Sequence, residues 1–279
     1  MIRISATHDG LSALEAYSLW GSQWIIRRRI RSDATCSTKI GNTVLKSGDL
    51  VEGSKGADTH ASKYYTFVRS EIAPLLPRAA TRILDVGCGV GATSAWLKSL
   101  YPRSHTVGLE GNRALLPELA RNVDEPHIVD LNGTLPDVGA VDLVLVLDVL
   151  EHLVNPEEFL RRIMGTMTED GTVIISLPNV AHFSVSLRLF LLGRFDYADA
   201  GILDRTHLHF FYRDSALNLA RGVGLEVEKG LMAGLLGPKT RFVDRLTLGL
   251  IRDRLTKQYI FSARRKQLVT QSVLRWGTA

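Results

Sequence analysis

The side chains able to do chemistry fall into three groups. In the first, Asp85, Glu110 and Asp130 each close a short apolar run, and Asp85 leads directly into Gly87-Cys88-Gly89-Val90-Gly91. Alternating glycines after an apolar run let backbone approach a ligand that any side chain would strike. The second group is Asp148-x-x-Glu151-His152. On a helical turn these three positions share a face, and carboxylates with an imidazole suit Mg²⁺, Mn²⁺ or Zn²⁺. The third is the stretch 178–212, which carries Asn179, His182, Asp204, Arg205, His207 and His209. A histidine whose pKa lies near neutrality is the natural base for taking a proton from a hydroxyl.

These residues need a scaffold, and the apolar pattern supplies one. Ile83–Val86 reads as a strand, the glycines as a tight turn, and Ala92–Leu100 as a helix whose N-terminus points N–H groups at the turn. The pattern then repeats. His105–Glu110 reads as a second strand, Asn112–Asn122 as a helix capped by Asn112, and Pro126–Asp130 as a third strand. Val141–Leu147 is almost uniformly apolar, as a central strand covered on both faces must be. Asn155-Pro156-Glu157-Glu158 opens a helix with a cap, a proline and first-turn acids. Glu169-Asp170-Gly171 reads as a turn before a fifth strand, Thr172–Leu177. This alternation predicts an α/β fold: a doubly wound, mostly parallel, seven-stranded Rossmann-like sheet. Residues 178–212 interrupt the alternation at the carboxyl edge and are expected to form a helical, substrate-side cap. Asp214–Gly222 is expected as a helix, Leu225–Leu231 as a strand, 240–254 as one amphipathic helix and Lys257–Arg264 as the last strand. Residues 61–76 show helical spacing up to Pro77. Ahead of that, 1–56 reads as an appendage with a helix within Leu11–Ile30, and 266–279 as a loose tail. The main body of the chain is thereby bounded at 57–265.

Glu110 at the end of the second strand suits the ribose hydroxyls of an adenosine ligand. Gly87-Cys88-Gly89-Val90-Gly91-Ala92 also satisfies the loose dinucleotide pattern G-x-G-x-x-G/A. An NAD(P)-dependent Rossmann oxidoreductase therefore stays open as an alternative, although no Y-x-x-x-K element accompanies the turn. A non-catalytic cofactor-binding partner protein is the other.

Asp85-Val86-Gly87-Cys88-Gly89-Val90-Gly91 resembles the first motif of the class I S-adenosylmethionine-dependent methyltransferases, D/E-x-G-x-G-x-G. Leu147-Asp148-Val149-Leu150-Glu151-His152-Leu153 is similar to the segment after the fourth strand in the methionine-biosynthesis and ubiquinone-biosynthesis methyltransferase-like groups. The resemblance covers roughly 61–265. It implies that S-adenosyl-L-methionine is the methyl donor, held by Asp85, Gly87, Cys88, Gly89, Gly91, Glu110, Asp130, Leu131 and Asp148, with Asp85 near the amino-acid end and Asp130 or its neighbour on the adenine. His152 and His182, after the fourth and fifth strands, are the expected bases, and Tyr64, Arg69, Asn179, Arg205 and His207 the expected substrate contacts. Some relatives place a divalent ion on an E-x-x-E-H element. Here the first acid is Asp148, and Glu151 and His152 are read as orienting the loop by hydrogen bonds, so no metal ligand is assigned and His182, His207 and His209 are only candidates for another ligand. The expected reaction is O-methylation of a small molecule, a lipid or quinone precursor, or a surface-glycan sugar.

Bulk properties narrow the field. With 279 residues, 45% of them hydrophobic, the chain can bury a full core. A net charge of +5, with clusters at Arg27–Arg29 and Arg264–Lys266, is too dispersed for a dedicated nucleic-acid binder and allows at most peripheral membrane contact. Cys36 and Cys88 do not suggest a disulfide framework, and a cytoplasmic setting is expected.

Overall fold

The computed structural model describes residues 15–18, 24–27, 66–234, 237–266 and 275–278. The chain divides into two units, Met1–Gly53 and Ser54–Ala279. In the first, β1 (Glu15–Ser18) and β2 (Trp24–Arg27) form an antiparallel pair with Glu15 opposite Arg27. Strands therefore replace the helix expected within Leu11–Ile30. Aromatic and β-branched residues such as Tyr17, Trp24 and Ile25 favour extended backbone once a partner strand is present.

The second unit is an eight-stranded sheet. Its seven main strands are β3 (Arg82–Val86), β4 (His105–Glu110), β5 (Glu125–Ile128), β6 (Val141–Leu147), β7 (Met167–Pro178), β8 (Leu225–Ala233) and β9 (Gln258–Arg265). They lie in the order β5-β4-β3-β6-β7-β9-β8, and only β9 runs antiparallel to its neighbours. This is the doubly wound, mostly parallel seven-stranded sheet that the sequence predicts. A short β10 (Arg275–Thr278) adds parallel to β8, with Trp276 beside Gly230. Part of the expected loose tail is thus a strand.

Alternation along the central strands explains why both faces are covered. Leu84, Val86, Val144 and Val146 enter one core together with Phe159, Leu160 and Ile163 of α3 (Pro156–Thr166) and Ala216 and Leu217 of α5 (Arg213–Gly222). Ile83, Leu143, Leu145 and Leu147 enter the other with Leu97 of α1 (Ala92–Leu100) and with Ile72 and Leu75. Between these helices in the chain lie α2 (Leu116–Asn122), preceded by a 3-10 turn at Arg113–Leu115, and α4 (Phe183–Leu192).

Three local expectations change. Only Ser70–Leu75 of the stretch 61–76 is helical among the described residues, as a 3-10 turn containing Pro74, which cannot donate to a longer helix. Glu169-Asp170-Gly171 is not a turn between elements: it bulges inside β7, where pairing with β6 jumps from Val141–Met167 to Leu143–Thr172. The single helix expected over 240–254 is two, α6 (Pro238–Leu246) and α7 (Arg252–Leu255). They are separated at Leu248, whose φ of 50° lies in the left-handed region. Residues 178–212 do carry one helix, α4, followed by irregular chain.

Candidate functional site

Parallel strands bring the chemistry to one edge. Asp85, Glu110 and Asp148 stand at or just beyond the carboxyl ends of β3, β4 and β6, which lie side by side. The glycine turn between β3 and α1 passes through φ values of 65°, 58° and 77° at Gly87, Gly89 and Gly91. A side chain would be strained there, and would also collide. A Cβ on Gly87 would lie 2.7 Å from Val149 Cγ2, and one on Gly91 2.7 Å from Val123 Cγ2. Gly87 N–H and Cys88 N–H donate to Leu109 O at 2.7 and 3.3 Å, tying the turn to β4.

The acids are individually positioned. Asp85 is buried and accepts from Ser94 Oγ at 2.6 Å. Burial, reinforced by the charge of Glu110 and opposed by Ser94 and Arg69, lifts its carboxyl to about 6. Glu110 accepts from Gly89 N–H at 2.9 Å through Oε2 and from Asn112 N–H at 2.8 Å through Oε1. Each oxygen retains a lone pair for a ligand hydroxyl. Asp130 lies exposed beyond β5, where its Oδ1 accepts from Asn132 N–H at 3.0 Å, and Leu131 packs against the core. Cys88 is a free thiol that burial holds above its ordinary pKa. Acidic acceptors on adjacent strand ends, with side-chain-free backbone between them, fit a ligand bearing ribose hydroxyls and a cationic amino-acid end.

Asp148 sits in the left-handed region at φ 57°. Its carboxylate accepts from Arg69 Nη1 at 2.6 Å, from Ser176 Oγ at 2.8 Å and from Gln258 Nε2. Such strain persists only where surrounding contacts enforce it. Arg69 also donates through Nε to Glu71 at 2.5 Å. Burial works to lower its pKa, and the carboxylates of Asp148 and Glu71 outweigh this and raise it. The sequence reading missed this anchor because Arg69, Asp148 and Gln258 are far apart in the chain.

A second cluster forms beside it. Glu151 and His152 lie on a 3-10 turn, Leu150–His152, and His207 arrives from the irregular chain after α4. Leu208 N–H and His209 N–H both donate to Glu151 O, at 2.8 and 3.1 Å, so the two segments are stitched together. One ligand-type atom from each of Glu151, His152 and His207 lies within 4.8 Å of the others. Glu151 is 1% exposed. Its Oε2 has no hydrogen-bond partner among the described residues. Burial and the neighbouring Asp148 push its carboxyl well above the usual range. Burial and nearby His152 hold His207 below its ordinary pKa.

Other expected site residues have different work. His182 caps α4: its Nδ1 accepts from Ser184 N–H at 3.3 Å and lies 2.7 Å from Ser184 Oγ. The Nδ1 lone pair is thereby engaged in the helix cap. Asn179 is fully buried, donating through Nδ2 to Asp253 O and Thr256 O at 2.7 and 2.8 Å, which makes it a strut between these segments. Arg205 pairs with Asp199 at 2.5 Å on the surface, while Asp204 accepts from Thr206. Arg69 faces carboxylates of its own chain. Tyr64 and Cys36 lie outside the described residues.

Comparison with known proteins agrees with this architecture. The family described as "Methyltransferase domain" matches residues 60–229. A (S)-tetrahydroprotoberberine N-methyltransferase of Eschscholzia californica is 24% identical over 99 residues, covering 33% of this chain and 28% of that protein. A trans-aconitate 2-methyltransferase of Variovorax paradoxus (strain S110) is 26% identical over 106 residues, 37% of this chain and 40% of that one. The chain thus spans well under half the length of these curated relatives. A SAM-dependent methyltransferase from Archaeoglobus fulgidus shares the fold, with a TM-score of 0.52 and 16% identity over 75% of this chain and all of that one. With a glycine turn, strand-end acids and sheet order of this kind, and a match running through most of the second unit, the chain belongs to the methyltransferase domain family.

Proposed function

We propose that the chain transfers a methyl group from S-adenosyl-L-methionine to an oxygen of a small molecule, a lipid or quinone precursor, or a surface-glycan sugar. When bound, the sulfonium supplies an electrophilic methyl carbon. Asp85, Gly87, Gly89, Glu110 and Asp130 are the residues assigned to hold the donor, with Leu131 beside the adenine and the left-handed turn at Asp148 closing the amino-acid end. In the reaction the acceptor oxygen bonds to the methyl carbon as the carbon–sulfur bond breaks. The sulfur keeps the electron pair and the hydroxyl proton leaves. The protein's part is to align the three atoms, exclude water and take charge of that proton.

The observation that supports an oxygen acceptor is the meeting of Glu151, His152 and His207 next to the turn that packs on Gly87. An amine can be delivered already unprotonated, whereas a hydroxyl needs a group to manage its proton. Calorimetry with S-adenosylhomocysteine and with NADH tests the donor: binding of NADH alone would overturn the reading. Methyl transfer to paired hydroxyl and amine acceptors, with wild type and His207→Ala, tests the oxygen. Loss confined to the hydroxyl acceptors is expected; equal loss on both would count against it.

A further inference from the structure

We propose that α6 and the turn that follows it dock on a membrane surface carrying anionic lipid headgroups. Leu248 and Leu250 enter the bilayer, and Arg241 and Arg245 meet the headgroups.

Helix α6 wears apolar side chains on its outer side. Only Val243 turns inward, packing with Ile251 against Met232, Leu255 and Tyr259. Phe242 and Leu246, one turn apart, are both exposed. The chain then reverses through left-handed backbone at Leu248 and Gly249, with φ of 50° and 79°. Leu248 and Leu250 are 89% and 87% exposed. Large apolar side chains gathered in the open mark a contact surface, because folding gains nothing from them there.

The charge around these side chains says what covers them. Residues 238–257 hold six basic side chains and two acids, in a chain whose net charge is +5. Both acids are engaged. Asp244 accepts from Arg252 Nη2 at 2.9 Å. Asp253 pairs with Arg213 at 2.9 Å and accepts from Tyr259 Oη at 3.1 Å. Arg241 and Arg245 form the stripe of α6 beside Phe242 and Leu246, and both are exposed without an acidic partner among the described residues. Unpaired cations next to protruding apolar side chains match an anionic bilayer, whose headgroups take the arginines while its acyl boundary admits the leucines. A second copy of the chain matches poorly, since a two-fold contact through this surface sets the same arginines against one another. A nucleic acid would take the arginines and leave the leucines in water. No helix among the described residues is long and apolar enough to cross a membrane, so the contact is peripheral.

This surface is joined to the donor site. The segment leaves β8 at Ala233 and enters β9 at Gln258, two residues that pair with each other. Gln258 donates to Asp148, at the carboxyl edge. Arg254 Nη1 reaches Ala181 O at 3.5 Å, just ahead of α4, which exposes Phe190 and Leu191. Docking here brings a bilayer to the end of the sheet where the acceptor must enter, which favours an amphiphilic acceptor drawn from the membrane. That consequence rests on the proposed methyl transfer; the docking itself does not.

The test is flotation of the full-length chain with vesicles of phosphatidylcholine alone and of phosphatidylcholine with phosphatidylglycerol, at low and high salt. Binding to the anionic vesicles is expected, weakened by salt. Leu248→Asn with Leu250→Ser should weaken it at least roughly tenfold, as should Arg241→Gln with Arg245→Gln. Asparagine tolerates the left-handed backbone at 248, and none of these four residues touches the donor site, so S-adenosylhomocysteine affinity should be unchanged in both variants. Equal binding to the two kinds of vesicle overturns the proposal, as does no binding by wild type that holds S-adenosylhomocysteine. So does undiminished binding in the leucine variant, which would move the contact elsewhere on the chain. Self-association seen by sedimentation without vesicle binding, and abolished in the leucine variant, would give the surface to a second copy instead. Failure of wild type to bind S-adenosylhomocysteine strikes the functional reading and leaves the vesicle result to stand by itself.

Discussion

The glycine turn works because single atoms are missing. A methyl group at Gly87 has a neighbour at 2.7 Å and a φ of 65° to satisfy. Gly87→Ala is expected to cost about 1–2 kcal/mol from backbone strain before any collision is counted, and to weaken S-adenosylhomocysteine binding at least tenfold by calorimetry in protein that still folds. Asp85 makes a pH prediction at the same scale. Its native carboxyl titrates at about 6 against an ordinary 3.8. Between those values the native state holds a proton that the unfolded state has released. Stability therefore falls as pH rises through that window and is level above it. Asp85→Asn removes this slope, so its stability relative to wild type should improve by about 2–3 kcal/mol between pH 4 and pH 7. Urea unfolding of both proteins at a series of pH values checks it, and an identical pH trend in the two would refute it. These residues were legible in the sequence because each couples a residue type to a strand end. His207 as a partner of Glu151 was not, because nothing in local periodicity says which distant loop folds back onto Leu150–His152.

At the level of elements, struts matter as much as strands. The N–H of Asn179 donates to Lys257 O at 2.8 Å, and its side chain donates to two further carbonyls, so the end of β7 is fastened to the chain entering β9. Asn179→Ala leaves two carbonyls without that donor and should cost about 2–3 kcal/mol in urea unfolding. The KM for the acceptor should stay unchanged, which a substrate contact would not allow. Sequence pattern located the main strands and α1, α3 and α5 because each has a clear apolar period. It placed one helix where α6 and α7 form two, since Leu248 turning left-handed leaves no mark on amphipathic spacing. It also read Glu169–Gly171 as a break, because composition cannot distinguish a turn from a bulge whose flanking residues still pair with the same strand.

Across the whole molecule, apolar residues are distributed unevenly. No helix among the described residues is long and apolar enough to cross a membrane. Even so, α4 presents Phe190 at 85% exposure and Leu191 at 63% beyond the carboxyl edge. Side chains this exposed should contribute little to folding. Phe190→Ser with Leu191→Ser is expected to shift stability by no more than about 0.5 kcal/mol per site in dilute protein. A concentration-dependent fall in the thermal midpoint would instead show that this helix is covered when chains associate.

The short pairing of β10 with β8 has a consequence for how the chain behaves among its own copies. Along Leu225–Ala233, β10 occupies the side of β8 that β9 leaves open. Shortening the chain before Arg275 returns a row of main-chain donors and acceptors to the surface, which is a template for another molecule's strand. The catalytic edge is built elsewhere and should be untouched. A truncated protein is therefore expected to keep its S-adenosylhomocysteine affinity while its sedimentation profile shifts toward larger species with concentration. Colloidal behaviour, and with it shelf life and yield, would be governed by four residues that take no part in the chemistry.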